Sequence, residues 1–313
     1  MIAQLDLQRK KVFWITCALI VAAGVTLRSL PLAAPLTFDE ITSWIIAQNT
    51  ESIISMITNA PYDNNHILNT LYLHIVGDLQ VWWTYRLFSF VTGIATIYIA
   101  GLLVKKHGKI ASITSMTMIA SSWFLTLHSA EARGYAPLIL FGFLACLILQ
   151  GRYESLSLKW ACAFWITCVM GMLSHLTFIT ILPALAVWLL VKDKRKMQIR
   201  FFSLLHWLGV PLIVLSILYF IHYHSMDLVA GSVRTFSLAE VVSQSIAFPF
   251  YPSENQGILI STAIITCILM LASLVHFWKR DRADAAFYTF LLATIPILTT
   301  TALRNDAWGA RFT

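Results

Sequence analysis

Two adjacent carboxylates, Asp39 and Glu40, stand directly behind the first long apolar run, in Thr37-Phe38-Asp39-Glu40. A second polar group follows in Asp63-Asn64-Asn65-His66-Ile67-Leu68-Asn69, and Arg86 and Arg133 mark the edges of later apolar runs. A carboxylate can take a proton from a hydroxyl or ligate a hard cation. Guanidinium groups recognise phosphate through paired N–H donors. Base, ligand and anion-binding chemistry are therefore all represented, provided the elements around these residues bring them together.

Thr37-x-x-Glu40 fits a capping box, with Thr37 capping a helix and Glu40 reaching back to its amide. Ile41, Trp44 and Ile45 then form an apolar stripe at helical spacing, as expected of a helix lying in a membrane interface. Asp39 is not needed by the cap. At a helix N-terminus the backbone dipole favours its charged form, which suits a general base or a metal ligand. His66 opens a second apolar surface element, with Asn64 or Asn65 as its cap. A lone histidine is more often structural, but this one shares a polar cluster with Asp63. Arg86, Ser89 and Gly93 fall on one helical face, where small residues permit close packing. Glu131-Ala132-Arg133-Gly134-Tyr135 reads as a turn between two spans. The plain alternative for the arginines is ion pairing, Arg133 with Glu131 and Arg86 with an acid of the 35–84 loop. His175, in Leu173-Ser174-His175, reads as a polar residue at a tight turn.

Composition fixes the class. Of 313 residues 58% are hydrophobic and 12% charged, with a mean hydropathy of +0.74, whereas soluble domains run near ~45–50% and ~25%. Apolar runs at 12–34, 85–104, 110–128, 135–150, 160–175, 176–191, 201–222, 258–278 and 285–303 predict an all-α polytopic membrane protein of about nine spans, forming one transmembrane domain over 1–313. The five cysteines lie in apolar runs without metal-ligand spacing and read as small buried hydrophobes.

Charge distribution sets the expected orientation. If the N-terminus is cytoplasmic and 66–83 lies along the outer surface, all but six of the 22 basic residues fall on the cytoplasmic side. The six are Arg28, Arg86, Arg133, Arg234, Arg304 and Arg311. The net charge of +7 is then a topology signal with an anionic-lipid face, and nucleic acid is excluded as a partner. The acids concentrate in two long outer loops, 35–84 and 223–257, so chemistry belongs on the outer face, periplasmic in a bacterial inner membrane. No nucleotide-phosphate loop, HExxH helix, GxSxG elbow or CxxC pair is present.

The order of these motifs resembles the GT-C glycosyltransferases. They run as a first span, an acid pair before an interfacial helix, a His-led surface helix, Arg86-x-x-Ser89-x-x-x-Gly93 and Ala132-Arg133-x-Tyr135. The group it is most similar to contains protein O-mannosyltransferases and bacterial aminoarabinose (lipid A) transferases, over about residues 10–195. The resemblance implies inverting transfer of a sugar from a polyprenyl-phosphate donor to a lipid, glycan or protein acceptor outside the cytoplasm. It also implies a catalytic acid within Asp39-Glu40, Asp39 serving as general base, and substrate binding by His66, Arg86, Arg133 and Tyr135. No cofactor follows with certainty; a divalent metal held by Asp39, Glu40 or His66 stays open. The family's His-Pro-Pro-Leu element corresponds to His66-Ile67-Leu68-Asn69, without the prolines. The chain is also C-terminally short for the family. The rival reading is a polytopic transporter or lipid flippase, which calls for mid-membrane charges, broken helices and paired repeats.

Overall fold

A computed structural model describes residues 2–58, 65–194, 196–223, 246 and 255–301. Among these the chain is helical, with no strand. The helices are α1 Ile2–Ser29, α2 Phe38–Gln48, α3 Ile53–Thr58, α4 Ile67–Val76, α5 Trp82–Leu103, α6 Lys109–Ser121, α7 Trp123–Ser129, α8 Tyr135–Arg152, α9 Leu158–Ser174, α10 Ile181–Lys192, α11 Met197–Leu218, α12 Gln256–Arg280 and α13 Arg282–Thr301. Helix boundaries follow local chemistry. Pro31 ends α1 in a short 3-10 turn, Leu30–Ala33. The Thr37/Glu40 capping box starts α2 as expected. Asn255 accepts the amides of Gly257 and Ile258 to start α12.

Among the described residues five helical stretches are long and apolar enough to cross a membrane: Lys10–Ala33, Trp82–Leu103, Tyr135–Arg152, Met197–His222 and Gly257–Arg280. A sixth is the pair α6 and α7, bent by 62° at Ser122. Among the described residues, length and apolarity thus mark five or six spans, and the expected count of about nine is not confirmed. The runs expected at 160–175 and 176–191 are apolar helices of 17 residues or fewer, Leu158–Ser174 and Leu176–Lys192. Helix α4 measures about 15 Å at 1.5 Å per residue, half the thickness of a hydrocarbon core.

The chain divides into two compact units. The first holds Met1–Met56, Asn64–Leu147 and Leu173–His175. Cys17, Ile97, Met116 and Ala120 form one core cluster, where α1, α5 and α6 meet. Ala47, Leu73, Tyr85 and Ala132 form another, joining α2, α4, α5 and the turn before α8. Small side chains set the spacing: a Cβ on Gly93 of α5 would run into the Ser129 side chain at the end of α7. Arg28, wholly buried near the end of α1, donates to the carbonyls of Ile119 (2.9 Å) and Ala120 (3.0 Å) and to Ser129 Oγ (3.2 Å). It therefore closes the last turn of α6 where the chain bends into α7, the kind of unmatched carbonyl end a helix must otherwise leave to solvent.

The second unit holds Ile57–Asp63, Ile148–Met172 and Leu176–Thr313. Phe164 packs edge-on to Trp207, with centroids 5.5 Å apart, and Trp165 Nε1 donates to the carbonyls of His206 and Trp207. Trp188 Nε1 donates to Asp284 Oδ1 at 2.8 Å, tying α10 to α13.

Candidate functional site

The candidate site lies within the first unit and is built outward from a buried ion pair. Arg86, near the start of α5, grips Glu40 of α2 in bidentate fashion, Nε to Oε1 and Nη2 to Oε2, both at 2.7 Å. Its remaining N–H groups reach the carbonyls of Pro31, Leu32, Ala34 and Pro35, at 2.7 to 3.0 Å. Glu40 also accepts the amides of Thr37 (2.8 Å) and Ala132 (2.8 Å). Its two oxygens thus hold two donors each, and its side chain is fully buried. Burial alone would raise the Glu40 pKa, but the Arg86 hydrogen bonds and the Thr37 and Ala132 amides more than offset it and hold the carboxyl below its ordinary value. Glu40 and Arg86, both expected on the reacting face, are turned inward and tie the loop after α1, helix α2, helix α5 and the 131–134 turn to one another.

That turn presents Arg133. Ala132 is fixed through its amide by Glu40 and through its carbonyl by Asn69 Nδ2 (2.7 Å), while Ser89 Oγ donates to the Arg133 carbonyl (2.8 Å). Gly134 permits the turn to sit close, since a Cβ there would collide with the Ser174 carbonyl oxygen. Arg133 Nη1 then meets Asp39 Oδ2 at 2.8 Å, and the guanidinium lies 4.8 Å from the Tyr135 ring centre, a cation–π contact. The Asp39 side chain keeps 34% of its exposure and Arg133 keeps 12%. Of the expected site residues, Asp39 is the acid that solvent can reach. Arg133 does not take Glu131 as its ion-pair partner; the Glu131 carboxylate instead accepts from His128 Nδ1 at 2.9 Å.

Behind Arg133 lies an aromatic group that the sequence only partly foreshadowed. His66 occupies the N-cap position of α4 without a side-chain cap bond, and Asn65, one of the two expected caps, instead donates to Met56 O and accepts from the Thr70 hydroxyl. His66 stacks on His175 with ring centres 4.8 Å apart, and Tyr135 lies 5.5 Å from His66 and 4.8 Å from His175. His128 closes the group at 4.5 Å from Tyr135. His175 and His128 thus belong to the site although neither was expected to line it. His175 follows the end of α9, and the one available signal was its placement at a turn beside Ser174. Burial, reinforced by the neighbouring cations, drives His66 well below the ordinary imidazole value and His175 down to about 3. Both rings are therefore neutral at physiological pH.

Among the described residues no group of three or more His, Cys, Asp or Glu side chains could hold a metal ion. Asp63, Asn64, most of the 223–257 loop and the Gly309-to-Thr313 end lie outside the described residues. No protein-family model matches the chain, and no curated protein does either.

Proposed function

We propose that the chain is a membrane glycosyltransferase that moves a sugar from a polyprenyl-phosphate donor to a hydroxyl acceptor at the outer face of the membrane, with Asp39 as general base. The observation that carries this reading is the reachable Asp39–Arg133 pair at the head of a short amphipathic helix. In this scheme Arg133 exchanges Asp39 for the donor phosphate. The freed carboxylate takes the acceptor's proton as the acceptor oxygen bonds to the anomeric carbon, and the lipid phosphate leaves with the electron pair of the broken C–O bond. Glu40 and Arg86 act as positioning residues that set the 131–134 turn, and Tyr135 steadies the Arg133 guanidinium through its ring contact. This is the same chemistry that the GT-C resemblance implies, with the roles of the two acids divided.

The test is a deletion strain complemented in trans, its lipids and envelope polymers read by mass spectrometry. Wild type should restore one missing sugar. Asp39→Asn should reach the membrane at the same level and lower transfer by about 10²–10⁴-fold, the usual contribution of a positioned base. Transfer at the wild-type rate in that variant removes Asp39 from the mechanism.

A further inference from the structure

At one end of the second unit the C-terminal ends of α8, α10 and α12 and the start of α13 enclose a cavity of about 1250 Å³. Five basic side chains line it, Lys192, Lys194, Lys279, Arg280 and Arg282, against three acidic ones. One of the five is occupied: Lys192 Nζ meets Asp281 Oδ2 at 2.5 Å, while Asp281 Oδ1 accepts the Ala283 and Asp284 amides and so caps α13. Among the acids Glu154 accepts from the Tyr153 hydroxyl and Asp193 is buried. Among the described residues Lys194, Lys279, Arg280 and Arg282 form no salt bridge with an acid, and all four are exposed. Trp278 stands beside them at 59% exposure, where the apolar stretch Gly257–Arg280 ends.

We infer that this cavity binds the headgroup of an anionic phospholipid. Four cations without acid partners around one hollow are a standing cost of mutual repulsion, relieved by an anion. Arg280 and Arg282 offer paired donors of the geometry that phosphate oxygens accept. Basic hollows between spans are where multiply charged headgroups seat, and an exposed tryptophan at a span's end marks the headgroup level. The volume exceeds what one phosphate ion fills and accommodates a glycerophosphate headgroup. The site stands apart from the Asp39–Arg133 chemistry and survives if that reading fails.

The test uses the full chain purified into nanodiscs of phosphatidylcholine doped with cardiolipin, with retained lipid counted by native mass spectrometry. Wild type should enrich cardiolipin over phosphatidylcholine, and the enrichment should fall with added salt. Arg280→Gln/Arg282→Gln should lower it by about thirtyfold, taking the usual contribution of each basic residue near a lipid surface. Lys105→Gln/Lys106→Gln, in a different basic cluster, should leave it unchanged. Millimolar inorganic phosphate should not displace the lipid; displacement would make the site a phosphate-ion site and overturn the lipid assignment. Equal enrichment in both double variants would likewise overturn it. A photoactivatable cardiolipin crosslinked to wild type gives a reading independent of variant folding: adducts should map to 278–283, and adducts elsewhere refute the site.

Discussion

Glu40 and Asp39 are neighbours in sequence with opposite fates. One is enclosed by four donors and the other faces outward to Arg133. The capping box was legible from Thr37 and Glu40 alone, because it is local. That the same carboxylate would also receive Arg86 was legible only as an open alternative, since the two lie 46 residues apart and nothing in the spacing selects the partner. The histidines carry a prediction at this scale. His66 and His175 are held neutral by the fold, whereas in the unfolded chain they take protons near 6.5. Between 6.5 and about 3 the unfolded state binds more protons, so stability must fall as pH drops through that window. Glu40 adds to the loss only below its ordinary 4.5, because its depressed carboxyl is charged in the fold above that. Thermal midpoints in detergent should therefore decline from pH 6.5 toward 4.5, and His175→Phe should flatten that part of the curve.

At the scale of elements the 131–134 turn is where α2, α4, α5 and the end of α9 converge. Glu40 takes its Ala132 amide, Asn69 its Ala132 carbonyl and Ser89 its Arg133 carbonyl, while Ser174 stands over Gly134. The Arg86–Ser89–Gly93 face was legible from helical spacing, and all three side chains or positions are buried as that spacing implies. What each member of the face would touch was not, because Arg133 is 44 residues from Ser89. Gly134→Ala must push the turn off Ser174. It should lower unfolding stability by about 1–3 kcal/mol, the usual range for an added methyl in a filled space. A thermal shift within measurement error of wild type would show that the turn yields.

At the scale of the molecule, helix positions were legible because apolar runs of spanning length leave little alternative. The break at Ser122 was not. The run 110–128 reads as continuous, and the side chain that closes the broken end, Arg28, comes from the first span. The orientation expected from the basic clusters has a direct check. In a cysteine-free background, a membrane-impermeant maleimide added to intact cells should label Glu51→Cys, which is exposed, and spare His107→Cys, which is exposed at the other end of α5. The reverse pattern would place Asp39 in the cytoplasm and end the proposed reaction scheme.

Arg28 also has a history that the finished fold conceals. Its carbonyl partner on Ala120 is 92 residues further along the chain, so during synthesis the first span enters the bilayer with a guanidinium that has only the Gly24 carbonyl of its own helix and still awaits its distant acceptors. Until the ribosome delivers α6 and α7, that cation must snorkel to the headgroups or be sheltered by the translocon. The order of manufacture, and not only the final packing, therefore limits which residues position 28 can tolerate.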